Sequence, residues 1–293
     1  MTLRITPLTD PAPRASGYRL VWQATGEEDY PLGSAGLVVH TAPGLDHSAH
    51  LDIRVHPAER RRGVGTRLLA AALAAARESD RRSLVGWVRA DSPGGAFLEG
   101  HGFSPVLSFV HTRLELAEVD PAGLAGGIQQ PHPGYRLTSW DGLVPDDLAA
   151  AYLAALGAMD DQPTGDEEAG AMVWDLDRLE TAVAAIDRRG ERLHTVAAVD
   201  ESDGTVAGFT ELVCPVDGGG EGRHYGTGVL PRHRGRGLAR WMKLASIAAA
   251  RERHPDLAGL LTDTAEENHA MRRVNDALGY RTTHTATEYR LSL

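Results

Sequence analysis

The chain is poor in cysteine, lysine and aromatic residues, and each scarcity excludes something. With Cys214 alone, no intrachain disulfide can form, so the fold rests on packing and suits a reducing compartment. Of the 30 basic residues only Lys243 is a lysine, and aromatic residues make up 5% of the chain. No long hydrophobic run exists: the longest, Leu68 to Ala76, lies between Arg67 and Arg77 and is far too short to cross a bilayer, so no membrane partner is expected. The first 17 residues contain Arg4, Asp10, Arg14 and three prolines without an apolar core. A secretory leader is therefore not expected, and a cytoplasmic location is. The 13 histidines show no recognised ligand spacing, so no metal is expected.

The remaining composition, 42% hydrophobic and 24% charged over 293 residues, is that of a globular protein with room for two domains. What fills that room is a repeat. Val55-His56-Pro57-Ala58-Glu59-Arg60-Arg61-Arg62-Gly63-Val64-Gly65 is echoed by Val229-Leu230-Pro231-Arg232-His233-Arg234-Gly235-Arg236-Gly237-Leu238-Ala239. One offset, 174 residues, carries Val55 onto Val229, Pro57 onto Pro231, Arg60 onto Arg234 and Gly63 onto Gly237. A repeat of domain size implies two copies of one fold. In each copy an apolar strand runs into an Arg/Gly-rich turn that opens a helix, the arrangement that presents backbone amides to a pyrophosphate.

The first copy reads as strands near 18–24, 34–40 and 49–55, a helix over 63–78, a strand near 84–89, a short helix near 94–100 and a strand near 106–116. The second starts with a strand at 135–139. Helices near 145–158 and 175–189, absent from the first copy, follow. Strands near 192–199, 205–213 and 223–230, a helix over 236–253, a strand near 258–262, a helix near 267–278 and a strand near 284–292 complete it. In the 236–253 helix, Leu238, Trp241, Met242, Ala245 and Ala249 form one stripe. The Gly/Pro-rich stretch 121–134 reads as a linker between domains 1–120 and 135–293. The first copy looks truncated ahead of its first strand.

Charge is unevenly placed. Residues 1–134 hold 13 basic and 14 acidic residues, whereas residues 135–293 hold 17 basic and 26 acidic. Within 141–187 twelve acids face one base, Arg178. A nucleic-acid partner is not expected from a chain of net charge −10.

These residues resemble the GCN5-related N-acetyltransferase superfamily, and the second half resembles its actinobacterial tandem members. The carrying motif is a Val-x-Pro strand end followed by (Arg/Gln)-x-x-Gly-x-(Gly/Ala), which both copies have. A later motif, an Asn opening a helix that ends in a Leu-Gly-aromatic turn, reads Asn268…Asn275…Leu278-Gly279-Tyr280 in the second copy. The first copy keeps only the turn, His101-Gly102-Phe103, with Asp91 in place of the Asn.

The resemblance implies an α/β fold, two tandem domains of mostly antiparallel, splayed sheet flanked by helices. It implies a degenerate domain over 1–120 and a catalytic one over 135–293. The cosubstrate is then acetyl-CoA, held by Val229, Leu230, Arg234, Gly235, Arg236, Gly237, Leu238 and Ala239 with Asn268 and Asn275, and in the first copy by Val55, Arg60, Arg61, Arg62, Gly63, Val64 and Gly65. Backbone groups near Val229 and Leu230 are expected to be unpaired and free for the pantetheine arm. The acceptor is a small, cationic primary amine, steered by Asp160, Asp161, Asp166 and Glu167. Glu211, His224 and Tyr225 are the candidate bases that deprotonate it. Relatives often carry a Tyr that protonates the leaving thiolate; Asn275 and Leu98 stand at that position here, so the usual acid is missing. A non-catalytic acyl-CoA-binding protein is the competing reading.

Overall fold

The computed structural model describes residues 3–8, 17–41, 46–159 and 174–293. Its elements in chain order are β1 (Arg4–Leu8), β2 (Gly17–Thr25), β3 (Pro31–His40), β4 (Ser48–Val55), α1 (Val64–Glu78), β5 (Ser83–Arg89), α2 (Gly94–Glu99), β6 (Ser104–Glu115), α3 (Pro121–Ile128), β7 (Tyr135–Asp141), α4 (Asp146–Leu156), α5 (Leu176–Asp187), β8 (Glu191–Asp200), β9 (Val206–Pro215), β10 (Glu221–Val229), α6 (Leu238–Arg253), β11 (Gly259–Ala265), α7 (His269–Ala277) and β12 (Arg281–Ser292). No described helix is long and apolar enough to cross a membrane.

Two compact units form. In the first, the strand order is β1-β2-β3-β4-β5-β12. Pairing is antiparallel except between β4 and β5, which run parallel from Ser48/Ser83 to Leu51/Gly86 because α1 carries the chain back between them. Leu37, Val39, Leu69, Ala72, Leu84 and Leu98 form the core beneath α1. The first copy is less truncated than its sequence suggests: β1 pairs with β2, so the strand is present, and among the described residues no counterpart of α4 and α5 follows it. Its Pro7 ends no ladder that matters, since β1 lies at the edge of the sheet.

The second unit has the order β6-β11-β10-β9-β8-β7, again with one parallel pair, β10 and β11, bridged by α6. Alternation along β9 feeds two cores. Phe209 and Val213 pack beneath α4 and α5 with Tyr152, Leu156, Val183 and Ile186. Leu212 and Cys214 face the other way and pack beneath α6 with Leu244, Ile247 and Leu260.

The units do not follow sequence order. β5 pairs with β12, Arg89 opposite Ala286 through Ser83 opposite Ser292. β11 pairs with residues 109–115 of β6, Ala265 opposite Phe109 through Gly259 opposite Glu115. Ala286–Leu293 thus belongs to the first unit and the chain from Phe109 onward to the second. Residues 121–134, expected as a linker, contain a helix: Asp120 caps α3 through the Ala122 and Gly123 amides, and Leu124 is buried in the second unit's core.

Candidate active site

β10 and β11 part company after a short start. Their register covers only Glu221/Gly259, Gly222/Leu260 and Arg223/Leu261. Beyond it they diverge, and the gap becomes a cleft with His224, Tyr225, Gly226 and Thr227 on one wall and Thr262, Asp263 and Thr264 on the other. Lys243 of α6, Asn268 and Met271 near the start of α7, and Met159 after α4 close it. A bulge in β10 shapes this wall: His224 faces Leu212 and Gly226 faces Glu211 on β9, leaving Tyr225 as the extra residue.

The three candidate bases occupy different environments. Tyr225 is 47% exposed, and its hydroxyl accepts from an Arg189 Nη2 at 2.7 Å. His224 is buried; burial, then the nearby Lys243 charge, holds it well below the ordinary histidine range, so it is a neutral ring. Its Nε2 is buried without a partner. The Glu211 carboxyl is pushed above the usual range by burial, which outweighs the hydroxyl of Tyr152 donating to Oε1 at 2.5 Å. Its second oxygen lies behind Gly226 of β10. A Cβ on Gly226 would lie 3.3 Å from Glu211 Oε2, and Gly226 itself lines the cleft. A carboxyl that is buried, raised in pKa and next to the cleft wall has the chemistry of a proton acceptor.

Two residues of this site escaped the sequence reading. Tyr152 lies in α4, 1% exposed, edge-on to Trp140 and Phe209. Lys243 is 1% exposed, its ammonium 5.1 Å from the centre of the Tyr280 ring, and burial lowers its pKa to about 7. The signal for Lys243 was present: it falls on one helical face with Ser246, Ile247 and Ala250, all buried.

At the repeated turn, the structure revises one expectation. Arg234 Nε donates to the Val229 carbonyl at 2.9 Å, and the Leu230 amide donates to Ala207 O at 2.9 Å. These two backbone groups are therefore already partnered, because the strand end is pinned to its own turn and to β9. The same bond recurs in the first unit, where Arg60 Nε donates to Val55 O at 3.3 Å. Arg234 and Arg60 thus hold the strand ends through Nε. Arg236 lies over the Tyr135 ring, 5.8 Å from its centre.

Gly235 and Gly237 adopt φ of +75° and +77°, and Gly237 caps α6. That left-handed backbone turns the first amides of α6, at Leu238 and Ala239, outward from the helix start. The Leu238 side chain is buried. Nothing lies within 4 Å of where a Gly235 Cβ would be; at Gly237 the nearest neighbour is His132 Nε2 at 3.4 Å. His132 stacks on Trp241 with ring centres 4.1 Å apart. In the first unit Arg61 takes the same left-handed conformation at φ +62°, a strained choice for a side-chain-bearing residue, and Gly63 caps α1 at φ +79°. Arg62 pairs with Glu59 at 2.9 Å, Val64 is buried, and Gly65 abuts Phe97.

Asn268 caps α7 through the Met271 amide, and Asn275 is buried with Nδ2 donating to Thr264 Oγ1 at 3.1 Å. The expected acceptor-steering residues Asp160, Asp161, Asp166 and Glu167 lie outside the described residues. Among the described residues no group of three metal-ligating side chains occurs. Cys214 is buried, and burial raises its thiol to about 11, which leaves it without nucleophilic character.

The open amides at the start of α6 and the splayed strands beside them fit a pyrophosphate-bearing thioester. Comparison with known proteins agrees. The profile of the acetyltransferase (GNAT) family matches residues 5–103 and 160–280. A mycothiol acetyltransferase from Clavibacter sepedonicus is 31% identical over 254 residues, covering 85% of this chain and 74% of that protein. One from Thermobispora bispora is 30% identical over 266 residues, covering 85% and 81%. The solved structure of a tandem GNAT protein from the clavulanic acid biosynthesis pathway superposes with a TM-score of 0.75 at 24% identity, covering 99% of this chain and 98% of that one, and shares the fold. The chain belongs to the acetyltransferase (GNAT) family, and is an acetyl-CoA-dependent N-acetyltransferase of tandem build.

Proposed function

We propose that the second unit transfers the acetyl group of acetyl-CoA to a primary amine of a small cationic acceptor, by direct attack in a ternary complex. The observation that carries this reading is the Glu211 carboxyl, raised in pKa by burial and separated from the cleft only by Gly226, which lines it. An ammonium of pKa about 10 must lose a proton before it can attack. Glu211 takes that proton; His224, buried and already neutral, is a weaker base, and Tyr225 at the rim bonds Arg189. The free amine then attacks the thioester carbonyl. Cys214, buried with a raised pKa, supports transfer without a covalent acetyl-enzyme. The acidic stretch 141–187 supports a cationic acceptor. In the first unit, the strained Arg61 in place of a glycine supports a degenerate role.

Calorimetric titration of acetyl-CoA into the wild type and into Gly237→Glu and Gly63→Glu tests the assignment. One site, lost only with Gly237→Glu, is the expected result. Loss with Gly63→Glu alone would move the activity to the first unit, and absence of binding would overturn the reading.

A further inference from the structure

The leaving thiolate needs a proton, and the tyrosine that often supplies it in this family is replaced by Asn275. That Asn is 1% exposed and committed to Thr264, so it is no acid. The cleft contains another donor. Lys243, the only lysine of the chain, projects from α6 into the same cleft, buried and with the Tyr280 ring beside its ammonium. A buried ammonium is expected to have a carboxylate partner, since an isolated one is costly to desolvate. Among the described residues the titratable groups around it are His224 and Tyr225 on β10, Asp263 on β11, Tyr280 after α7 and, behind Gly226, Glu211 on β9. Asp263 faces Arg223 at 3.6 Å, Tyr225 bonds Arg189, Glu211 is held by Tyr152, and burial keeps the Tyr280 hydroxyl protonated. None of them supplies a counter-charge to Lys243, whose lowered pKa comes from burial alone.

We propose that Lys243 is the general acid of the reaction, donating a proton from Nζ to the CoA sulfur as the thioester breaks. This rests on the transferase reading above. The amine nitrogen's lone pair forms the new C–N bond at the acetyl carbonyl carbon. The C–S bond breaks with its electron pair on sulfur. One Nζ proton moves to that sulfur, and the surplus proton of the nitrogen moves to the Glu211 carboxylate, which has by then passed the acceptor's first proton on to water. The products are an N-acetyl amide and the CoA thiol; neutral Lys243 and protonated Glu211 return to their starting states by exchange with water. Burial sets the direction of the first transfer. An amine of pKa about 7 gives its proton readily to a thiolate whose thiol has a pKa of about 8.5. At the ordinary lysine value the proton would stay on nitrogen. The missing tyrosine and a buried lysine without a carboxylate partner among the described residues are then two aspects of one site, with the acid moved from α7 to α6.

The test uses the whole chain, acetyl-CoA and hydroxylamine, a small nucleophile that is unprotonated above neutral pH and so needs no base to free its lone pair before attack. CoA release is followed with a thiol reagent, and acetyl-CoA binding by calorimetry. The wild-type rate should fall as pH rises through about 7, as Lys243 loses its proton. Lys243→Met should lose about 100-fold and that alkaline limb. Lys243→Arg should stay slow, because a guanidinium keeps the charge and withholds the proton. With the acetyl thioester of an acidic aryl thiol, whose thiolate leaves unprotonated, Lys243→Met should match the wild type. Equal losses with both donors, or an unchanged pH profile, would reduce Lys243 to packing and overturn the proposal. So would an acetyl-CoA-binding wild type that does not accelerate CoA release to hydroxylamine. Failure to bind acetyl-CoA would instead overturn the transferase reading itself. If the variants do not fold, 13Cε-lysine incorporated into the wild type gives a single side-chain resonance. Its titration must coincide with the alkaline limb, and a lysine titrating near 10 overturns the assignment.

Discussion

The Tyr152 hydroxyl donates to Glu211 Oε1 at 2.5 Å, tying α4 to β9 beneath the cleft. This bond favours the ionised carboxylate and opposes the larger effect of burial. Tyr152→Phe removes the opposition, so the Glu211 pKa should rise further. Activity that requires the carboxylate then appears only at higher pH. The expected result is an acid limb of the pH–rate profile displaced upward, with a stability loss of about 1 kcal/mol for the missing bond. An acid limb left in place would remove Glu211 from the role of base.

Gly226 offers a second route to the same carboxylate. Its Cβ position lies 3.3 Å from Glu211 Oε2, 3.5 Å from Phe209 and 3.6 Å from Met159, and its φ is not left-handed. Gly226→Ala should therefore fold while obstructing the passage between Glu211 and the cleft. The turnover number should drop at least tenfold, with acetyl-CoA affinity within about twofold of wild type, as expected for a lost proton transfer. A parallel loss of affinity would show that the methyl displaces the cosubstrate and not the base.

Arg234 and Arg60 make the same bond, each from Nε to the carbonyl five residues earlier. Lysine cannot reproduce it, since its point charge lacks the planar fork. Arg234→Lys should loosen the turn and weaken acetyl-CoA binding by about tenfold, a loss of about 1.4 kcal/mol. Arg60→Lys should leave calorimetric affinity unchanged if only the second unit binds. Wild-type affinity in Arg234→Lys would mean that the strand end holds its shape without the bond.

Much of this was legible in the sequence because it is local. The 174-residue offset exposed the repeat, and period-3.6 and period-2 patterns located most helices and strands. What failed to show was non-local. A strand's partner is not written in its own residues, so β6 and β12 could be found but not paired. The linker reading of 121–134 followed its glycines and prolines, whereas Pro121 sits in the first turn of α3, where its missing N–H does no harm. Glu211 was identified by its place on a strand, but Tyr152 comes from another element 59 residues away. Lys243 was hidden by a composition in which the scarcity of lysine looked like background.

The strand pairing makes a prediction about dissection. A fragment 1–134 lacks the strand that pairs with β5, and a fragment 135–293 lacks the one that pairs with β11. Each would expose a ladder edge, and the second would also lose Leu114, Leu116 and Leu124 from its core. Expressed separately, both should be insoluble or molten by near-UV circular dichroism. Co-expressed, they should yield a soluble complex that binds acetyl-CoA. A soluble, cooperatively unfolding 135–293 fragment would show that β11 does not need β6.

The lysine also carries a thermodynamic cost that can be measured without any substrate. Its pKa is about 7 when folded and about 10.4 when unfolded. Between those values the unfolded chain binds a proton that the folded chain does not, so stability from this group rises with pH across the window. Below pH 7 both states are protonated and the penalty is constant. A shift of about 3.4 units bounds that penalty at roughly 5 kcal/mol. Lys243→Met keeps the volume and removes the charge, so urea unfolding at pH 7 should find the variant more stable than the wild type. The gap should shrink by pH 9.5, as the wild type recovers its penalty. A variant less stable at pH 7, or a gap independent of pH, would mean that the ammonium is already compensated in the fold.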